Sequence, residues 1–383
     1  MTTDDTLIIK PKVKIKVFGI GGGGNSVLMR MGQHNALDIE LYAVNTDAKQ
    51  LQLTAQAGGV NCIQIGENLT RGRGTGGNIQ LGEQAAKNDA IKLQSAMNGA
   101  DLVFVTAGMG GGTGTGAAPI VARLAKEMGI LSVGVVTLPF AFEGNRKKKA
   151  AQDGITKMQS QMDALIAVEN DNLSKLPENR KMSLVQAFEC ADNILKQAIS
   201  CVAELILTTG VINVDFADVT TIFRQSESSD ALLGIGVSDR GAVAAVKIAA
   251  ESPLIDKGLA GARGVILNLT GDSTLSLYDV DEATRYIMKH ADPEVNIILG
   301  TVEDNTMKGT VQATIIATDF VDSVVMKAPT VKVPESAIKK ETLKKESFQM
   351  EVPAFMNKKQ AADKSQPFAI PAFKLTDGGN ENK

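Results

Sequence analysis

Apolar residues along this chain fall into short unbroken runs, each followed by a glycine-rich turn and then a stretch of helical period. KIKVFGI at 14–20 is the first such run; it enters Gly21-Gly22-Gly23-Gly24, and a helix is expected from about Asn25. IELYAVN at 39–45 and LVFVTA at 102–107 read as further strands, the latter followed by a second glycine loop and a helix ending at Gly129. ILSVGVVTL at 130–138 and the run at 164–168 continue the style. Runs without polar alternation suit strands buried on both faces. Strands alternating with helices argue for an α/β fold, a Rossmann-like parallel sheet covered on both sides.

A long helix follows. Ser183 and Gln186 fit a capping box, and apolar residues recur at Leu184, Phe188, Ala191, Leu195, Ala198, Val202 and Leu205. Val185, Ile194, Ile199 and Ile206 widen the stripe almost all round, as in a helix held between two masses. Beyond Gly210, helix-like 241–251 and 279–290 alternate with strand-like 264–270, 295–299 and 310–318, the texture of a second α+β domain. The expected division is an N-terminal extension at 1–13, a first domain at 14–182, a central helix at 183–209, an α+β domain at 210–320, a linker at 321–346 and a tail at 347–383. From Val321 the chain is rich in Lys, Glu, Pro and Ser, and is expected to be a disordered tail that buries no core. Within it, EVPAFM at 351–356 is echoed by AIPAFK at 369–374. Two aliphatic-Pro-Ala-Phe units in a polar tail read as two docking peptides, with Phe355 and Phe373 as anchors and Pro353 and Pro371 lowering the entropy of ordering.

Composition removes whole classes of chemistry. A net charge of −3 and the lack of Trp leave no electrostatic or stacking case for nucleic acid. The three cysteines, Cys62, Cys190 and Cys201, form no CxxC pair and read as free thiols of a reducing compartment. With only His34 and His290, neither an HExxH zinc site nor a Ser-His-acid triad at a G-x-S-x-G elbow can be written. The polar opening MTTDDTLIIKPKVK has no apolar core of a signal peptide, and no run is long enough to span a bilayer. A cytoplasmic protein without direct membrane insertion is expected, with carboxylates, amides, backbone or a metal ion left as the means of any catalysis.

The glycine loops carry the chemistry. Between strand and helix, glycines let backbone N–H groups approach phosphate oxygens, and the helix N-terminus favours the anion. Taken singly, Gly19-Ile20-Gly21-Gly22-Gly23-Gly24 satisfies G-x-G-x-x-G, and Asp47 follows at the spacing of a ribose-binding acid, which fits a dinucleotide-dependent oxidoreductase. The second loop, GMGGGTGTG at 108–116, argues against that reading. It follows its own strand, carries the hydroxyls of Thr113 and Thr115, and leads into a helix expected to hold Pro119 in its first turn. Neither loop has the Gly-Lys-Ser/Thr of a Walker A motif. Two cradles in one domain imply a polyphosphate gripped from both sides.

GMGGGTGTG resembles the signature loop of the tubulin/FtsZ family of GTPases, most closely in its bacterial cell-division branch. The likeness runs over roughly 14–320 and includes GIGGGGN at 19–25, NTDA at 45–48, FEG at 142–144 and NVDFADV at 213–219. It implies GTP and GDP as ligands, with Mg²⁺ held mainly by phosphates and water and no protein metal ligand. It implies phosphate contacts from Gly21, Gly22, Gly23, Gly24 and Asn25 and from Gly110, Gly111, Gly112, Thr113, Gly114 and Thr115. Asp47 and Thr137 would lie by the nucleotide and Glu143 at the ribose; Asn170, Phe188 and Asp192 would form the guanine pocket. Read alone, those last three would be a turn amide, a core Phe and a solvated helix Asp. Where the family has an Arg, Lys147 stands beside Arg146, and a lysine supplies charge without a bidentate fork. The role stays open between them. The loop RGRGTGG at 71–77 is open between a mobile element near the γ-phosphate and a surface turn.

Asn213, Asp215 and Asp218 offer two carboxylates and an amide to orient an attacking water, against the alternative of an Asx-rich cap and turn. If Phe188 and Asp192 line the pocket, the helix to Leu207 carries the chain about 1.5 Å per residue, roughly 30 Å in all. The acids would then reach a neighbour's γ-phosphate rather than their own. A surface that meets a different surface on the next copy propagates into a filament. The resemblance implies the same composite site. It implies a head-to-tail homopolymer at the mid-cell division ring, with division proteins and membrane anchors as partners of the tail. A non-hydrolysing scaffold of the same family would lack the acidic pair.

Overall fold

The computed structural model describes residues 13–33, 37–175, 182–208, 214–226, 228–254 and 258–320. Strands β1 (Ile15–Ile20), β2 (Glu40–Asn45), β3 (Asn61–Gln64), β4 (Leu102–Gly108), β5 (Leu131–Leu138) and β6 (Ala164–Glu169) come first. With them are helices α1 (Gly21–Gly32), α2 (Ala48–Ala57), α3 (Glu67–Thr70), α4 (Ile79–Asn88), α5 (Ala90–Met97), α6 (Gly112–Glu127), α7 (Asn145–Gln159) and α8 (Asn170–Leu173). Helices α9 (Leu184–Leu207) and α10 (Phe216–Gln225) lead to β7 (Asp230–Ser238), α11 (Ala242–Ala250), β8 (Ala262–Gly271), α12 (Leu277–His290), β9 (Asn296–Glu303) and β10 (Val311–Phe320).

All strands join one sheet in the order β3-β2-β1-β4-β5-β6-β7-β10-β8-β9. The pairings from β3 to β6 are parallel, whereas β10 lies antiparallel between β7 and β8. The two halves meet through the short parallel pairing Leu165↔Asp230 and Ile166↔Ala231. On β1 the side-chain alternation fills two cores at once. Ile15 and Val17 join the apolar cluster of α1 and α9, while Phe18 and Ile20 join that of α4, α5, α6 and α7. A strand covered on both faces needs no polar residues, which is why β1, β4 and β5 read as unbroken apolar runs. Lys16 is the exception on β1. Its Nζ donates to the carbonyls of Ala96 and Asn98 and pairs with Glu40, so the buried charge is satisfied.

The long helix has the expected capping box: Ser183 Oγ accepts from the Gln186 N–H, and Gln186 Oε1 from the Ser183 N–H. Its middle is buried between the halves. Ile199 and Val202 share one cluster with Val133 of β5, Phe223 of α10, Ile266 of β8 and Ile316 of β10. The other face of the second half is closed by α11 and α12. Burial does not reach the start of α9, where Leu184, Val185 and Phe188 are exposed, contrary to the all-round stripe expected there. The helix begins beyond the edge of the core, and only from Ala191 on is it covered from both sides.

Two helix starts also differ from expectation. α1 begins at Gly21 rather than near Asn25, and α6 at Gly112, because the glycines supply first turns as well as the bends before them. Pro119 therefore lies inside α6, not in its first turn. It lacks the N–H that would reach the Thr115 carbonyl, and α6 tolerates the gap within its otherwise buried run. β3 and β7 carry no periodic mark in the sequence. The first is four residues at a sheet edge, and the second is interrupted by Gly234 and Gly236.

Because α9 belongs to the cluster shared by both halves, Ile199→Ala is expected to lower stability by about 2–5 kcal/mol. The loss should show as one shifted transition in thermal or denaturant melts. Two separated transitions would mean that the halves fold independently.

Candidate functional site

In the first six strands the order reverses between β1 and β4, whose chains leave to opposite sides of the sheet. Such a reversal opens a crevice at the carboxyl ends of the strands, where α/β proteins bind ligands. Both glycine turns meet at this crevice. A Cβ placed on Gly21 would lie 2.9 Å from the Gly114 nitrogen, one on Gly23 3.1 Å from the Gly108 Cα, and one on Gly24 2.5 Å from the Thr106 oxygen. Gly21 and Gly110 also have positive φ, +69° and +97°, which glycine alone adopts without strain. The turns touch backbone to backbone, with no room for side chains between them.

Neither helix has a side-chain cap; Ile20 precedes α1 and Gly111 precedes α6. The first-turn N–H groups of both, with the positive ends of both helix dipoles, therefore remain available to an anion. Gly111 faces open space, since a Cβ there would meet nothing within 4 Å. Gly112 and Gly116 serve packing instead, as Cβ atoms there would strike Thr75 and the Ile79 carbonyl.

Side chains lock the turns from outside. Asn25 is fully buried; its Nδ2 donates to the Gly19 carbonyl and its Oδ1 accepts from Asn45 Nδ2. Asn45 Oδ1 in turn accepts from the N–H groups of Thr46 and Asp47. The Asn25 side chain is thus committed within the protein, leaving its backbone for any ligand contact. Asp47 caps α2 through the N–H groups of Lys49 and Gln50. Thr46 Oγ1 lies 2.7 Å from Thr113 Oγ1, and Thr115 Oγ1 accepts from the Gly110 N–H at 2.8 Å. Thr137 is buried, and its carbonyl accepts from the Met109 N–H. The loop at 71–77 is fastened to the same turn, by Ala48 N–H to the Gly72 carbonyl and Gly74 N–H to the Thr46 carbonyl. Thr75 Oγ1 lies 3.5 Å from Thr113 Oγ1. That loop belongs to the crevice.

The ends of β5 and β6 form a second wall. Glu143 Oε1 accepts from the Phe140 N–H, and Oε2 pairs with Lys147 Nζ at 3.0 Å. Lys147 is thereby tied to Glu143, while Arg146 is exposed. Asp171 Oδ1 accepts from the Ala141 N–H, which fastens the start of α8 to this turn. Phe140 stacks on Phe142 and meets Phe188 of α9 edge to face, at 5.4 Å between centroids. Phe188 is 41% exposed and Phe142 64%, so these rings line a surface rather than a core. Asn170 is 5% exposed, and its Oδ1 is buried with no hydrogen-bond partner. A buried acceptor left unpaired is costly, so this atom fits a donor on a ligand. One turn beyond Phe188, Asp192 accepts from Arg30 Nε at 3.2 Å. Burial pushes its carboxyl up to about 6, against the opposing pull of Arg30.

The predicted site residues thus gather around the crevice and its second wall, with the exception of the acidic group. Asp215 stands at the N-cap position of α10, where its carbonyl accepts from the Asp218 and Val219 N–H groups, but its side chain makes no cap. Asp218 lies in the first turn of α10 and lines a recess of about 320 Å³ with Thr221, Asn296 and the first residues of β9. Both acids are exposed. They follow the far end of α9, where Leu205 packs on Gly300, and Asp192 is fifteen residues or about 22 Å of helix from Leu207. Asn213 lies outside the described residues, as do Pro353, Phe355, Pro371 and Phe373. Among the described residues no cluster of three or more His, Cys, Asp or Glu is placed to hold a metal. Pattern reading missed Arg30, Phe140, Asp171 and Thr75. Only Thr75 lay in a stretch it had marked.

Residues 14–178 match the GTPase domain of the tubulin/FtsZ family, and residues 229–321 match the C-terminal domain of the FtsZ family. An empty FtsZ dimer from M. jannaschii is similar at 39% identity and a TM-score of 0.76, covering 81% of this chain and 89% of that one. A GTPγS-bound protofilament of CetZ2 from Haloferax volcanii shares the fold at 22% identity and a TM-score of 0.66, covering 82% and 95%. A CetZ from Methanosaeta thermophila does so at 17% and 0.66, covering 81% and 87%.

The two kinds of glycine separate experimentally. Gly111→Ala is expected to change stability by less than about 0.5 kcal/mol. It should weaken guanine-nucleotide binding by roughly tenfold or more, the loss that about 1.4 kcal/mol of steric conflict produces. Gly114→Ala would put a Cβ 2.6 Å from the Gly108 carbonyl and is expected to lower the melting temperature itself. Melting curves with nucleotide titration check both; an unchanged affinity in Gly111→Ala removes the open cradle.

Proposed function

The chain belongs to the tubulin/FtsZ family, and from that premise we propose that it is a filament-forming GTPase whose active site is completed between adjacent copies. The reading extends to a head-to-tail homopolymer in the bacterial division ring at mid-cell. Among the described residues no helix is long and apolar enough to cross a membrane. Membrane contact is therefore assigned to partners of the peptides around Phe355 and Phe373. Family membership leaves no place for the oxidoreductase reading, which also gave the second glycine turn no role.

In this reading the crevice holds the phosphates on the first turns of α1 and α6. The triphosphate brings Mg²⁺ on its own oxygens and water. The base lies against Phe188, with the unpaired Asn170 Oδ1 and the Asp192 carboxylate as acceptors for guanine N–H groups. Glu143 and Lys147 stand at the ribose side. The proposed division is a nucleotide-binding domain at 14–182, a central helix at 183–209 and a C-terminal α+β domain at 210–320.

Hydrolysis needs a water in line with the γ-phosphorus. Its oxygen bonds to that phosphorus, the bond to the β–γ bridging oxygen breaks, and GDP leaves. The carboxylates of Asp215 and Asp218, with Asn213, accept hydrogen bonds from the water, turn its lone pair to the phosphate, and one carboxylate takes the proton the water gives up as the new P–O bond forms. The observation that carries the proposal is the exposure of these acids at the end of α9 remote from Asp192, with the Asp215 side chain not spent as a cap. A second molecule is then the natural source of the triphosphate. The two surfaces differ, so the contact repeats without closing.

Asp218→Ala is expected to bind GTP within about twofold of wild type and to pellet with it. Its phosphate release should fall about a hundredfold or more, as for other general-base losses. Wild-type turnover per molecule should rise with protein concentration. A strictly monomeric preparation cleaving GTP at full rate would refute the composite site.

A further inference from the structure

Arg30 has no part in the mechanism above, yet it is the side chain in direct contact with the carboxylate assigned to the base. It stands in the last turn of α1, whose first turn is the glycine cradle. Its guanidinium is divided between two acids of α9: Nε lies 3.2 Å from Asp192 Oδ2, and Nη2 lies 3.3 Å from Glu189 Oε1. An arginine facing one carboxylate alone tends to take both its oxygens in a fork. Here Glu189, three residues earlier on α9, draws off the second nitrogen. Asp192 Oδ1 keeps its lone pairs for another donor. The N1–H and N2–H of guanine are two adjacent donors that the lone pairs of this one oxygen can accept together.

We propose that Arg30 is a specificity-determining residue for guanine: it pins the Asp192 carboxylate through one oxygen and leaves the other for the base. This deepens the guanine-nucleotide reading and rests on it.

The need for such a partner follows from burial. The Asp192 side chain is 15% exposed, and desolvation drives its carboxyl up to about 6. Arg30 opposes that rise by hydrogen bond and charge, whereas Glu189 adds to it. A protonated carboxyl has lost the acceptor that N1–H and N2–H both need. Guanine affinity should thus be full above the Asp192 pKa and fall toward tenfold per pH unit below it. Without Arg30 the midpoint moves up toward neutrality. With Glu189→Gln it moves down.

The test compares wild type, Arg30→Ala and Glu189→Gln by titration with GDP, inosine diphosphate and ADP between pH 5 and pH 9. The terminal phosphate ionises near pH 6 as well, so the readout is the affinity ratio of variant to wild type at each pH. Arg30→Ala is expected to lose roughly tenfold in GDP affinity relative to wild type at pH 5 and about twofold at pH 7, and to recover most of it at pH 9. Inosine diphosphate, which lacks the 2-amino donor, should lose less, so the preference for GDP over it narrows. Glu189→Gln should shift the GDP profile to lower pH. A purely structural role would weaken both purines equally at every pH. That result, or an Arg30→Ala profile coincident with wild type, overturns the proposal while leaving the guanine site intact. Wild type failing to prefer GDP over ADP at any pH would instead overturn the guanine reading on which it rests.

Discussion

The contact of two glycine turns, backbone against backbone, sets the terms for everything else in this molecule. α1 and α6 lie on opposite faces of the sheet, and their first turns meet over the crevice between β1 and β4. A Cβ on Gly21 would strike the Gly114 backbone, and one on Gly23 that of Gly108. The close approach of the turns is what aims two helix N-termini at one small volume. It also explains the density of glycine without appeal to flexibility, because most of these residues sit in regular helix or in buried contact. Ordering so many glycines carries a large entropic cost. The surrounding ties, from Asn25–Asn45 to Thr46–Thr113, are the compensation visible in the structure.

The rest of the crevice is made differently. Backbone N–H groups serve a phosphate chain because its oxygens are alike and carry no directional code. A purine must be told from other purines, which takes side chains of defined donor and acceptor character. In the proposed reading those side chains come from the ends of β5 and β6 and from α9: the unpaired amide oxygen of Asn170, the exposed ring of Phe188 and the half-occupied carboxylate of Asp192. They are arranged through second partners, Asp171 on Ala141, Phe140 on Phe188 and Arg30 on Asp192.

This division governs what could be read from the sequence. The unbroken apolar runs announced the parallel strands, and glycine density announced the turns, because both are local consequences of burial and sterics. The capping box at Ser183 was equally local. Helix starts were not, since a glycine beginning a helix looks like a glycine in a loop until its neighbour across the crevice is known. Gly112 and Pro119 show the error most clearly. β3 and β7 were hidden because edge position and interrupting glycines erase periodicity. Arg30 left no signal at all. Its role depends on α1 packing against α9, more than 150 residues apart in the chain, as the spacing of 162 to Asp192 records. Asn170, Phe188 and Asp192 came from family likeness alone, and by spacing they would have been given ordinary structural parts.

The proposed composite site also gives a reason why one helix, α9, rather than a loop, would join its two chemistries. The helix's 24 residues span about 36 Å, with the base-side residues near the start and the acids beyond the end. Orienting a water in line with a phosphate tolerates errors of well under an ångström to about one. If the acids of one molecule serve the nucleotide of another, that error accumulates through every joint between the two sites. A buried helix in a cluster shared by both halves contributes almost none of it, because close-packed interiors yield little. Its exposed start, with Leu184, Val185 and Phe188, is the one stretch free to be completed by something else. Rigid where distance must be held and uncovered where a surface must be met, α9 has the properties that a composite site would require of it.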